Sequence, residues 1–305
     1  MAGQGLFMTG WAVCARIFPT HIGIYSFLMK HSPLSDFFKV MMLVLLGLSS
    51  CKKNPARPDS ETGELAVSMD HGVSTTSGAN STTFSPLVLN VNTYKNANGD
   101  DFTVSTFKYY ISNVKLLKAD NSTYSVPDSY FLVDHSTPAS QKLKLLGIPA
   151  GDYTGIAFTM GVDSVRTKAG GFTGVLNANN GMFWDMNGPE FINMKLEGRS
   201  PQSPTTGLVF HIAGHKGAAN NTIRTVALPF GAAQLPVRAN HWPEVYLQVD
   251  VAKLFTGPNT TMPSQPFLNP VDFSTVYNKM SGPAVAKLAD NVAAGMFSVA
   301  RIDSN

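Results

Sequence analysis

From Glu64 onward, apolar and polar residues alternate with a period of two. The pattern runs through "ELAVSMDH", "PLVLNVNTY", "FKYYISNVKLL", "YFLVD", "YTGIAFTM", "FINMKLEG", "GLVFHIAGH", "TIRTVALPF" and "VYLQVDVAKLF". Successive side chains of a strand point to opposite faces, so this alternation predicts strands with one buried face. Asn98-Gly99, Asp120-Asn121, Pro149-Ala150-Gly151, Gly170-Gly171 and Gly214 supply turn chemistry between them. Many short strands separated by such turns predict an all-β fold, an antiparallel β-sandwich or barrel-like domain. The end of the chain differs. From about residue 272, "VDFSTVYNKMSGPAVAKLADNVAAGMFSVARI" is rich in Ala and carries apolar residues at helical spacing. That segment predicts one or two closing helices. No internal repeat is evident.

The alternation stops upstream. "KVMMLVLLGLSSC" places Lys39 before an apolar run from Val40 to Leu48, followed by small residues and Cys51. The run is shorter than the roughly 20 apolar residues a membrane-spanning helix needs. It fits the h-region of a secretory signal. Leu48-Ser49-Ser50-Cys51 reads as a bacterial lipobox, which predicts cleavage before Cys51 and acylation of that cysteine. Met29-Lys30 makes a natural start, which leaves residues 1–28 as an upstream extension. "KKNPARPDSETGE" then has almost nothing to bury and reads as a flexible tether. The expected organisation is an upstream extension with a lipoprotein signal peptide over 1–50, a tether over 51–63 and a β domain over 64–305. The expected location is the envelope of a Gram-negative bacterium, with acyl chains of Cys51 in the bilayer.

Composition narrows the function classes. Over 305 residues the formal net charge is only +3. No basic stripe is present, so nucleic acid is not an expected partner. The two cysteines, Cys14 and Cys51, both precede the β region. A disulfide framework, a thiolate metal cluster and a cysteine nucleophile are therefore excluded from it. No G-x-S-x-G, H-E-x-x-H, phosphate-binding loop or dinucleotide fingerprint occurs, and no nucleophile–base arrangement is visible. An enzyme is not expected.

Histidine, methionine and tryptophan remain. His71 ends the first strand motif. His211 and His215 share one face of "FHIAGH" if that segment is extended. Imidazole suits copper and zinc, and thioether favours Cu(I). The alternative for each histidine is an ordinary hydrogen-bonded side chain. His135 and His241 read as loop residues. "GMFWDMNGPEF" sets Met182, Phe183 and Trp184 at a loop edge before a strand. They read either as a plug of the core or as a rim facing the histidines.

The order of "YKNANGDDFTVSTFKYYISNVKLL", "SYFLVD", "IPAGDYTGIAFTMGVDS", "TGVLNANNGMFWDMNGPEFINMKLEG" and "FHIAGH" resembles the MbnP-like family over roughly residues 64–255. These are copper-binding β-proteins of the periplasm or cell surface. The resemblance implies a lipid-anchored envelope protein that works beside a di-haem protein of the cytochrome c peroxidase and MauG type. In better-known relatives, copper is held by histidines and by a tryptophan oxidised to kynurenine. Transferred to this chain, the histidines fall on His71 and His211, and the tryptophan of "GMFW" falls on Trp184. Asp163 matches the aspartate of "GVDS" and reads as a turn-stabilising acceptor. Two departures stand out: Met186 where many relatives carry a second aromatic, and "GPEF" where many carry Gly-Tyr.

The resemblance and the residues together predict a single copper ion at His71, His211, Trp184 and Met182, with Asp163 and His215 behind them. The rival expectation is a metal-free sandwich that binds a glycan or a protein through exposed aromatics such as Trp242, Tyr109 and Tyr110.

Overall fold

The computed structural model describes residues 61–77, 81–185, 188–257 and 270–304. The signal segment, Cys51, most of the tether and Met186 lie outside the described residues. Among these, sixteen strands occur. They are β1 (Thr62–Ser77), β2 (Ser81–Pro86), β3 (Tyr94–Lys95), β4 (Asp101–Lys118), β5 (Thr123–Ser125), β6 (Tyr130–Asp134), β7 (Lys142–Pro149) and β8 (Gly151–Met160). Then follow β9 (Phe183–Trp184), β10 (Glu190–Arg199), β11 (Gly207–Ala213), β12 (Arg224–Pro229), β13 (Leu235–Val237), β14 (Glu244–Asp250), β15 (Asn278–Lys279) and β16 (Phe297–Asp303). A short helix, α1 (Ser164–Ala169), follows β8, and a longer one, α2 (Pro283–Gly295), precedes β16.

The strands form two sheets, as an all-β sandwich requires. The smaller runs β16-β14-β1-β2, with β7 also on β1. The larger runs β12-β8-β4-β10-β11-β15, with β3, β5 and β6 on β4, β13 on β8 and β9 on β10. Pairing is mostly antiparallel. Two pairs are parallel, β1 with β14 and β11 with β15.

The core follows from the alternation. In β1 the inward row is Leu65, Val67, Met69, His71 and Val73, all buried. β14 contributes Val245, Leu247 and Val249. From the larger sheet come Phe107 and Tyr109 of β4, Leu196 of β10 and Phe210 of β11, in one continuous cluster with the first set. Each such side chain stabilises the fold by about 1.5–3 kcal/mol when fully buried.

β1 positions the site because its partner changes along one edge. Ala66–Gly72 pair with β14. On the opposite edge, Thr62–Ser68 pair with β7 and Gly72–Ser77 pair with β2. Met69, Asp70 and His71 therefore fall in a gap between β7 and β2. Gly72 lets β2 close tightly beside that gap, since a Cβ there would lie 2.4 Å from the Phe84 ring and 2.5 Å from the Ser85 carbonyl oxygen.

Two predicted elements differ. "PLVLNVNTY" does not form one strand. Asn90 takes a left-handed φ of 61° and Val91 is 72% exposed, so a turn separates β2 from β3. The closing segment holds one long helix rather than a helix from about residue 272. Gly282, at φ 93°, and Pro283 at the first turn set its start. The helix buries Val285, Leu288, Ala289 and Val292, and Arg224 of β12 holds it through Asp290 at 2.6 Å.

Candidate metal centre

His71 occupies a core position of β1 but meets a polar partner rather than a hydrophobic one. Its Nδ1 lies 2.8 Å from Nδ1 of His135. Its Nε2 lies 2.9 Å from the Tyr109 hydroxyl. His135 follows β6 directly. The register Asp134↔Lys108 and a bond from the His135 amide to the Phe107 carbonyl continue that strand by one residue. Asp134 turns outward to an ion pair with Lys108 at 2.8 Å, so alternation turns His135 inward. There its Nε2 donates to the Leu87 carbonyl at 3.1 Å. The Leu87 amide in turn donates to the His71 carbonyl.

The hydrogen bonds dictate the tautomers. A carbonyl only accepts, so neutral His135 carries its proton on Nε2 and offers a lone pair at Nδ1. His71 Nδ1 then donates to it, and His71 Nε2 accepts from Tyr109. Burial pushes the His71 pKa down to about 3, helped by the neighbouring His135. Burial also lowers that of His135, against the raising effect of its Leu87 bond. Both rings are neutral at neutral pH, the form that binds metals. A shallow cleft reaches the pair, lined by Met69, Asp70, Phe84, Pro86, Leu87 and Gln141. Phe107 packs edge-on against His71 with ring centroids 5.2 Å apart.

The other expected ligands lie elsewhere. Asp134, Lys108, Lys195 and His211 stand opposite one another across β6, β4, β10 and β11. Directly paired residues share a face, and this row is the outer one, because Phe107 and Tyr109 beside Lys108 point into the core. His211 is thus on the far side of the sheet from His71. Three strand spacings, about 14 Å, separate it from β6. It bonds to Glu197 at 2.8 Å, and its ring lies 6.1 Å from that of Trp184. Trp184 is half-buried and donates its Nε1 proton to Glu190 at 3.0 Å. His215 Nδ1 lies 3.7 Å from the other oxygen of Glu190. Burial lowers the pKa of both His211 and His215.

Met182 is fully buried in a second, smaller core with Tyr110, Val162, Leu176, Phe191, Ile192 and Ala213. Phe172, Phe183 and Trp184 pack on it. The "GMFW" stretch therefore plugs a cover over the outer face of the large sheet. The predicted set of His71, His211, Trp184 and Met182 is not one cluster. The physical reason is strand alternation, which sends His71 inward and the His211 row outward. Asp163, read as a turn-stabilising acceptor, stands at the N-terminus of α1. It caps α1 by accepting from the Arg166 amide, and it also accepts from Tyr130 at 2.6 Å and Asn113 at 3.2 Å.

Sequence reasoning missed His135. The available signal was phase: it stands two residues beyond Val133, on the buried side of "YFLVDH". Tyr109, expected as an exposed aromatic, is fully buried beneath His71. Among the described residues, no group of three or more His, Cys, Asp or Glu is placed to hold a metal ion. The donor set here is two neutral imidazoles in a recess lined by Met69, Phe84, Pro86 and Leu87 together with Asp70 and Gln141. Such donors fit a soft, singly charged ion better than a hard divalent one.

The fold and this recess define a class: a two-sheet β-protein with a convergent histidine pair where one strand changes partners. A family model, MbnP, matches residues 63–276, and the chain belongs to that family. Among solved structures, MbnP from Methylosinus trichosporium is similar at 13% identity, covering 79% of this chain and 100% of that one, with a TM-score of 0.42. No curated protein matches.

Proposed function

We propose that this protein binds a single copper ion at the His71–His135 pair and serves in copper handling or redox exchange in the cell envelope. The observation that carries the reading is the 2.8 Å approach of two neutral imidazoles, His71 buried and His135 half-buried, at the foot of an open cleft. Family membership and the copper-binding character that the resemblance implies support it. His71 and His135 would hold the ion, and Phe107, Phe84 and Leu87 would keep water from it. Bound copper supplies a one-electron couple, which a di-haem partner of the MauG type could use. Acylated Cys51 would keep the chain at the membrane surface. No catalytic role is assigned.

Copper stoichiometry tests the reading. Protein loaded with Cu(I) should carry one equivalent. His71→Ala and His135→Ala should each lose it, while His211→Ala and Met182→Leu should retain it. Full copper in a His71/His135 double variant would remove the pair from consideration. Loss on His211→Ala alone would return the site to the outer face.

A metal-free reading has one observation in its favour. Trp242 and Leu146 are 60% and 59% exposed and line one groove of about 220 Å³ with Lys142, Lys144 and Glu64. An exposed indole beside a leucine suits a glycan or protein partner. Trp242→Ala would weaken that binding and leave copper unchanged.

A further inference from the structure

We infer that Tyr109 is a positioning residue whose hydroxyl supports His71 in either tautomer, donating to Nε2 in the metal-free protein and accepting from it when Nδ1 presents a lone pair. This rests on the copper reading. The geometry that carries it is a single line of polar atoms through an otherwise apolar core. It runs from the Tyr109 hydroxyl to His71 Nε2 at 2.9 Å, from His71 Nδ1 to His135 Nδ1 at 2.8 Å and from His135 Nε2 to the Leu87 carbonyl at 3.1 Å.

The two ends of the line differ in kind. Leu87 ends it with a carbonyl, which can only accept, so His135 has one tautomer in every state. Tyr109 ends it with a hydroxyl, which either donates or accepts by rotating. In the metal-free protein, the phenol donates to His71 Nε2, and His71 holds its proton on Nδ1, between the two rings. That proton stands where an ion would meet the pair. For both Nδ1 atoms to present lone pairs, His71 must carry its proton on Nε2 instead. The N–H bond at Nδ1 breaks and its proton passes to water in the cleft. A new N–H bond forms at Nε2 with a proton taken up from water. Tyr109 keeps its own proton and turns its oxygen lone pair to the new N–H. The exchange leaves the charge of the site unchanged.

The surroundings allow little else. Tyr109 is fully buried, and burial raises its pKa well above the ordinary value, so it stays a phenol. Among the described residues, His71 Nε2 is the hydrogen-bond partner of that hydroxyl. The ring is fixed by Phe107 on one side, at 5.3 Å between centroids, and by Phe297 on the other, at 5.7 Å. A fixed phenol with a rotatable hydroxyl can serve both tautomers of one histidine without moving any heavy atom. Partners behind a metal-binding histidine typically account for about 10–100-fold in metal affinity.

The test uses nitrogen NMR and one variant. In the metal-free protein, ring nitrogen shifts should show His71 protonated on Nδ1 and His135 on Nε2. Addition of one equivalent of Cu(I) should move the His71 proton to Nε2. Tyr109→Phe should keep the stoichiometry of one ion while weakening Cu(I) about 10–100-fold. Metal-free His71 found protonated on Nε2 would overturn the inference, and that measurement needs no variant to fold. So would Cu(I) binding by Tyr109→Phe as tight as that of the wild type. A wild-type protein that takes up no Cu(I) would instead sink the copper reading, with the metal-free tautomer still deciding what Tyr109 does.

Discussion

His71 shows how one residue can be both core and site. It sits in phase with Leu65, Val67, Met69 and Val73, so its burial was legible in the alternation of "ELAVSMDHGV". His135 was legible only through its phase with Val133, because it lies just past the end of β6 where a loop reading was equally natural. The same burial makes a pH prediction. The folded pKa of His71 is about 3 against 6.5 for a free imidazole. Between those values the unfolded chain holds a proton that the native ring lacks, so native stability falls as pH drops through this window. The loss is about 1.4 kcal/mol per pH unit for this group. Above pH 6.5 it contributes no slope. His135, whose pKa is also lowered, steepens the fall. Urea unfolding of metal-free protein at about pH 7.5 and about pH 5.5 should show the loss. His71→Phe should flatten it, and an unchanged slope in that variant would mean that His71 is not held neutral.

At the scale of elements, strands and turns were largely readable, because alternation and Gly or Asn punctuation report local physics. Pairing order was not, since register depends on contacts distant in sequence. β10 and β4 illustrate this. Their register shifts between Glu197 and Gly198, and a Cβ on Gly198 would lie 2.0 Å from the Thr103 carbonyl oxygen. Nothing local in "KLEGRS" announces that approach. Gly198→Ala should therefore cost about 1–3 kcal/mol through forced backbone movement, seen as a lower urea midpoint with an unchanged denaturant slope. Asp163 is the opposite case, readable as a local acceptor from "GVDS". Its carboxylate receives an amide, a phenol and a side-chain amide at once. Asp163→Ala should cost about 1–2 kcal/mol. Asp163→Asn should recover part of that. A variant as stable as the parent would show that the cap contributes nothing.

For the whole molecule, the all-β class and the family resemblance were both legible in the sequence. The arrangement of the candidate site was not. It depends on which face of which sheet each histidine occupies, and His71 and His211 come from different sheets. No periodicity within one segment can relate two sheets to each other. No helix among the described residues is long and apolar enough to cross a membrane. The first described strand begins at Thr62, within the last two residues of the segment read as a tether.

The parallel pairing of β1 with β14 also has a consequence in time. The strand that carries His71 is among the first parts of the domain to be made, yet one of its edges is completed by Glu244–Asp250. Sheets closed by such distant pairings fold slowly, over milliseconds to seconds. As the chain is made, the edge of β1 beside His71 is completed only after residues 244–250 have been added. A metal ion encountered earlier would find separate, solvated rings rather than a converged pair. In refolding mixed with Cu(I), capture of the ion should therefore rise no faster than tertiary structure followed by aromatic fluorescence. Capture that precedes that signal would mean that the pair converges without β14. On the copper reading, the site comes into being last, when the domain that frames it is complete.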